Sequence, residues 1–173
     1  MENFNLNDSE QYFDVLKELG NIGAGNATTA LSQMIQCKVD MKVPQVRLLD
    51  FQEVGEAMGG EEQIMAGVYL LVEGDITGSM MFLLEEKAAH SLVSKLMQMP
   101  ENSEGPFSEM ELSALKEIGN IIAGSYLSAL SAMTSLTISP TVPYISVDMA
   151  GAILSIPAIQ FGQFGDNALL IET

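Results

Sequence analysis

"KELGNIGAGNATTALSQM", Lys17–Met34, returns 99 residues later as "KEIGNIIAGSYLSALSAM", Lys116–Met133, with eleven of eighteen aligned positions identical. In a chain of 173 residues, a repeat at that distance implies two related halves, so whatever this segment does is done twice. The segment has helical periodicity. At about 100° per residue, Phe13, Leu16, Gly20, Gly23, Ala24, Ala27, Leu31 and Met34 gather on one broad apolar face. Asp14, Glu18 and Asn21 fall within roughly 60° of one another, and Ser113, Glu117 and Asn120 take the same places in the second copy. Each helix therefore carries a polar stripe of an acid or hydroxyl, a carboxylate and an amide.

Working outward, Ser9 and Ser108 stand 99 apart at the expected helix starts. Ser108-Glu109-Met110-Glu111 is a capping-box pattern, in which serine and glutamate satisfy each other's backbone donors. Each helix is predicted to run to Met34 or Met133, about 25 residues and about 37 Å. Downstream, "KVDMKVPQVRLLDF" and "LTISPTVPYISVDM" read as extended, with Pro44 and Pro143 again 99 apart and marking a strand's beginning, edge or bulge. "IMAGVYLLVEG" and "DITGSMMFLLEE" predict two strands turning at Gly74-Asp75, with "MAGAILSIPAIQF" and "DNALLIET" as their counterparts. That matching leaves about twelve extra residues in the first half, in "QEVGEAMGGEEQ" (52–63), a short helix broken at Gly59-Gly60.

The expected architecture is α+β: an internally duplicated helix-strand-strand-strand unit with pseudo-twofold symmetry. One continuous β-sheet would carry two long helices packed on it. The chain reads as a single domain, 1–173, with repeat 1 at about 8–84, a linker helix at 85–98, and repeat 2 at about 107–173.

Composition narrows the function. Apolar content of 47% with 17% charged residues belongs to a packed globule. Seven basic residues against 23 acidic ones give a net charge of −16, which disfavours nucleic acid and anionic membranes and favours a partner with a basic patch. The single cysteine, Cys37, excludes an internal disulfide and suits the reducing cytoplasm, where its thiol is expected to be buried or neutral. No signal peptide is visible, and no apolar stretch approaches the roughly 20 residues that span a bilayer.

Three other features carry competing readings. Gly20, Gly23 and Gly25 suggest a phosphate-cradling loop, but Ile122 replaces one glycine in the second copy and no Lys-Ser/Thr pair follows. The glycines are better explained as close-packing sites, because each costs a helix about 1 kcal/mol relative to alanine. His90 has no partner ligands around it in sequence and reads as a helix-surface residue; no metal site is predicted. The polar stripe alone would read as a solvated face. Its joint spacing argues otherwise: Glu, two residues, Asn, then 22 residues to Pro, in both halves.

Asp14-x3-Glu18-x2-Asn21-x22-Pro44 and Ser113-x3-Glu117-x2-Asn120-x22-Pro143 resemble the signature of the CheC/CheX/FliY phosphatases of bacterial chemotaxis. The resemblance covers essentially the whole chain. It implies hydrolysis of the aspartyl phosphate of the response regulator CheY by a cytoplasmic monomer. Glu18 and Glu117 would approach a lysine of the docked regulator, while Asn21 and Asn120 would orient the attacking water. Asp14 and Ser113 would support that arrangement, and Pro44 and Pro143 would shape the adjacent strand. No cofactor is expected on this chain, with Mg²⁺ expected in CheY. The resemblance also implies a second partner, the receptor deamidase CheD, for which Glu53, Glu56, Glu61 and Glu62 of the acidic segment and Asp148 are candidate contacts. The competing reading is a non-catalytic adaptor that binds CheD.

Overall fold

A computed structural model describes residues 6–100, 105–162 and 167–172, with side chains from Asp14 onward. Helix α1 spans Leu6–Ile35 and is followed by β1 (Gln45–Asp50), α2 (Phe51–Ala57), β2 (Ile64–Gly74), β3 (Gly78–Glu85) and α3 (Glu86–Met97). Helix α4 (Glu109–Thr134) then leads to β4 (Ile138–Pro140), β5 (Tyr144–Met149), α5 (Ala150–Phe161) and β6 (Asn167–Glu172). The protein is α+β, as expected, and its paired strands are antiparallel. Strands β1 and β5 begin immediately after Pro44 and Pro143, both buried, so the prolines open their strands.

The repeat unit differs from the expected one. "MAGAILSIPAIQF" folds as helix α5, not as a strand. Its buried residues Ala150, Ile153, Leu154 and Pro157 follow the i, i+3, i+4, i+7 spacing of a helix packed on one side. Helices α2 and α5 start at 51 and 150, again 99 apart, so segment 52–63 is not an unmatched insert. Thirteen residues (51–63) separate β1 from β2, and seventeen (150–166) separate β5 from β6. Both halves thus read helix, strand, helix, strand through β2 and β6, the second with the short strand β4 added before β5. Helix α1 begins at Leu6, which puts Ser9 inside the helix instead of at its cap.

Strand pairing crosses between the halves. β1 pairs antiparallel with β6, from Gln45↔Glu172 to Asp50↔Asn167, and β5 pairs with β2, from Tyr144↔Tyr69 to Met149↔Ile64. Among the described residues the strands form two hydrogen-bonded sheets, not one continuous sheet. Strand β3 occupies one edge of β2, while β5 and β4 share the other, and the β1–β6 ribbon pairs with none of them. Arg47 on β1 and Glu172 on β6 close that ribbon with an ion pair. The hairpin at Gly74 forms as expected: Gly74 has φ of 123°, and an added Cβ would lie 2.0 Å from the Thr137 carbonyl oxygen.

The core lies between the long helices and the strands. Leu115 and Ile118 of α4 are essentially fully buried, and Ile118 and Ile122 pack with Ala27 of α1. Ala123, Tyr126 and Leu127 meet Leu70 and Val72 of β2. Burial of each such aliphatic side chain contributes about 1.5–3 kcal/mol.

The glycines divide by role. A Cβ on Gly23 would fall 2.3 Å from the Tyr126 ring, and one on Gly119 would fall 2.5 Å from Val68. Gly20 lies over Val46 and Ile171 of the β1–β6 ribbon, where a Cβ would come within 3.0 Å. These three permit close approach, and burial against Gly23 pushes the Tyr126 phenol above its ordinary pKa. Gly124 faces open space, and Gly25 has only the Met41 methyl at 4.0 Å.

The expected place of His90 is corrected, and of the two readings of Cys37 burial is ruled out. His90 is 2% exposed instead of lying on the surface. Its ring stacks on Phe107 with centroids 3.8 Å apart, and Nε2 lies 3.1 Å from the Gly105 carbonyl oxygen. Cys37 is exposed, because α1 ends at Ile35 and the chain leaves the core there. Among the described residues, no helix is long and apolar enough to cross a membrane.

The two classes of glycine should respond oppositely to the same substitution. Gly119→Ala is expected to destabilise the fold by about 1–3 kcal/mol through overpacking on Val68. Gly124→Ala should stabilise it by up to about 1 kcal/mol through helix propensity. Urea midpoints of the two variants test this contrast.

Candidate functional site

Helix α4 presents its polar stripe because its other side is committed to β2 and α1. With Leu115, Ile118, Gly119 and Ile122 buried, Ser113 and Glu117 are left exposed and Asn120 half-buried. Ser113, Lys116, Glu117, Asn120, Pro140, Thr141, Val142 and Pro143 line a single cleft of about 500 Å³. All four motif positions of the second half thus converge, although Pro143 is 23 residues beyond Asn120 in the chain. The convergence follows from the fold: α4 runs directly over β4 and β5, and the turn between those strands forms the facing wall. Thr141 fixes that wall. Its backbone N–H donates to the Leu71 carbonyl at 2.9 Å, and its hydroxyl accepts from the Leu71 N–H at 3.0 Å.

The first half repeats the exposure pattern. Asp14 and Glu18 are exposed, Asn21 is half-buried and Pro44 is buried. The Asn21 Oδ1 atom is shielded from solvent and has no hydrogen-bond partner among the described residues. The two halves differ in charge. Lys17 Nζ lies 3.6 Å from Asp14 Oδ1, an ion pair that Ser113 cannot offer to Lys116. Lys116 lines the cleft beside Glu117; one position away on the helix is about 100° round, and a long side chain crosses that angle. Pro140, Thr141 and Val142 are the other cleft residues that the motif did not supply. The Val-Pro pair common to both halves was the available signal.

The start of α4 is held by the expected capping box. The Ser108 N–H and hydroxyl donate to Glu111 Oε2 at 2.8 and 2.7 Å, and Ser108 Oγ accepts from the Glu111 N–H at 3.3 Å. The bond from the Ser108 backbone, then that from its hydroxyl, hold the Glu111 carboxyl below its ordinary range.

The acidic segment lies elsewhere. Glu53 is engaged in its own capping box with Asp50, at 2.9 and 2.8 Å, while Glu56, Glu61 and Glu62 are exposed. Asp148 is exposed at the end of β5, its carboxylate accepting from the Met149 N–H at 2.8 Å. The fold brings segment 61–63 beside the start of α5, where the N–H groups of Ala150 and Gly151 donate to the carbonyls of Gln63 and Glu61 at 2.8 and 3.0 Å. Among the described residues, no group of three or more His, Cys, Asp or Glu side chains could hold a metal ion.

An α+β protein with a Glu/Asn stripe facing a Val-Pro wall, and the same motif residues repeated in its other half, is a narrow class. A family model described as the CheC-like family matches residues 14–47 and 110–147, the segments holding the two copies. The chain is 40% identical over 166 residues to the CheY-P phosphatase CheC of Bacillus subtilis (strain 168), covering 95% of this chain and 79% of that one. The crystal structure of Thermotoga maritima FliY is similar with a TM-score of 0.65 at 23% identity, covering 79% of this chain and 68% of that one. CheX in the CheX-CheY-BeF3-Mg+2 complex from Borrelia burgdorferi gives 0.52 at 20% identity, with 74% of each chain covered. The chain belongs to the CheC-like family.

Ser108→Ala is expected to lower stability by about 1 kcal/mol near neutral pH. Because the folded pKa of Glu111 is depressed, its contribution is present above the unfolded pKa and lost as pH falls through the folded value. The penalty of Ser108→Ala should therefore shrink in acid, as paired denaturation curves across the carboxylate range would record.

Proposed function

We propose that the chain is a phosphatase that hydrolyses the aspartyl phosphate of the response regulator CheY, through Glu18/Asn21 and Glu117/Asn120. The observation that carries this reading is the convergence of Ser113, Glu117, Asn120 and Pro143 on one cleft. The 40% identity to a CheY-P phosphatase supports the substrate.

In the proposed reaction the cleft positions water and contributes no covalent chemistry. An asparagine does not take a proton at neutral pH, but its carbonyl and amide can hold a water in line with the acyl-phosphate bond. The water attacks phosphorus, the bond to the aspartyl oxygen breaks, and an aspartate carboxylate and inorganic phosphate are released. Glu18 and Glu117 each approach a lysine of the regulator and orient the docked partner. Asp14 and Ser113 support the arrangement one helical turn away, and Pro44 and Pro143 hold the facing wall. A chain of net charge −16 is poorly suited to holding phosphate alone. The neutralising charge, Mg²⁺ included, would come with the regulator, so this chain binds no cofactor of its own. We place the activity in the cytoplasm, on a monomer.

A second reading, a docking surface for CheD, is favoured by the contact between segment 61–63 and the start of α5. That contact sets exposed Glu61, Glu62 and Asp148 in one neighbourhood, with Glu56 on the adjoining helix. Under a purely adaptor function, hydrolysis would be absent and substitution of Glu56 and Glu61 would remove the biological effect.

The two readings separate in one assay. Decay of radiolabelled phospho-CheY with Mg²⁺ is expected to accelerate with this protein. Asn21→Ala with Asn120→Ala should reduce the acceleration by roughly 100-fold or more, in keeping with the loss of a positioned reactant. A double variant as active as the parent would remove the asparagines from the mechanism.

A further inference from the structure

Val43 and Val142 are each 83% exposed, 99 residues apart, and each immediately precedes the buried proline of its motif. Across the eight positions 40–47 and their counterparts 139–146, Val-Pro is the only identity: Met41, Lys42 and Gln45 become Pro140, Thr141 and Tyr144. Two aliphatic side chains are thus held almost wholly in water at matching places, forgoing the stabilisation that burial would give. Val142 lines the same cleft as Glu117 and Asn120.

Backbone preference accounts for part of this. The residue before proline is pushed to extended conformation, which a β-branched side chain tolerates well. Threonine meets that requirement equally, so the backbone explains branching but not apolarity. A partner explains the apolarity. A phosphoryl group adds negative charge to the partner's surface, and the net charge of −16 on this chain opposes its approach where the partner's own cations do not offset it. A contact that works at short range without charge offsets that opposition. A side chain fixed at the cleft wall by a buried proline supplies one with little ordering entropy to lose.

We propose that Val43 and Val142 are apolar anchors, one per site, that seat the phosphorylated receiver protein on the Glu/Asn stripe by entering an apolar depression beside its acyl phosphate. The proposal rests on the phosphatase reading and adds the contact that gives the partner affinity. Such an anchor acts on binding and not on the water, so its loss falls on KM more than on kcat. Its effect also persists in high salt, unlike that of an ion pair.

The test uses the full chain with Val43→Thr and Val142→Thr together, which keeps the branched backbone preference and places a hydroxyl in the apolar contact. Val43→Ile with Val142→Ile serves as the conservative control. Phospho-CheY decay is measured over a range of regulator concentrations, with direct titration of beryllofluoride-Mg²⁺-loaded CheY alongside. The threonine pair is expected to raise KM and the dissociation constant roughly tenfold, at low and high salt alike, while the isoleucine pair stays within about twofold of the parent. If the parent accelerates decay and the threonine pair shows unchanged KM and binding, the anchors are overturned and the phosphatase stands. If the parent binds without accelerating decay and the threonine pair loses binding, hydrolysis falls and the anchors stand. Absence of binding by the parent overturns both.

Discussion

Close approach at three glycines is the constraint on which the rest of the structure depends. Gly23 lies against the Tyr126 ring and Gly119 against Val68 at separations that a Cβ would violate, and Gly20 lies against Val46 and Ile171 where a Cβ would be tight. These contacts set the two long helices against each other and against the strands. They also fix which way each helix is rotated. With residues 20 and 23, or 119 and 122, turned inward, the residues at 14, 18 and 21, or 113, 117 and 120, are carried toward the outer face by helical geometry alone. Helix-destabilising residues on one side thereby determine the presentation of chemistry on the other.

The two sites share a frame but not an electrostatic setting. Asp14 pairs with Lys17 in the first half, whereas Ser113 is uncharged and Lys116 lines the cleft. A cationic side chain in a cleft attracts anionic groups, and a carboxylate in the same place attracts cationic ones. The halves therefore differ in the charge set beside the shared Glu and Asn.

Much of this was legible in the sequence, for identifiable reasons. Long helices with sustained 3.6-residue periodicity, the Ser108–Glu111 box and the Gly74 turn each depend on local chemistry, and each formed as expected. The motif residues were legible because the 22-residue interval from Asn to Pro was repeated, and the cleft at Ser113–Pro143 shows what that interval spans. Helix α5 was not legible, since its run is apolar on nearly every side and Pro157 spoke against a helix; Ile159, 82% exposed, blurs its periodicity further. His90 was misplaced because its burial comes from Phe107 and Gly105, beyond its own helix. Strand order failed for the same physical reason: pairing across the halves is a tertiary outcome that no single segment encodes.

That crossed pairing has a consequence for how the protein comes into being. Strand β1 ends at Asp50, yet its only ladder partner among the described residues is β6, whose first residue is Asn167. On a ribosome, β1 emerges more than a hundred residues before the strand that completes it, and β2 likewise waits for β5. The amino-terminal half must pass through synthesis with unpaired strand edges and with Gly20 facing an absent Ile171. Folding is thus expected to be late and cooperative, governed by closure of the longest loop. During translation, the nascent chain is most exposed to mispairing just before its second half arrives.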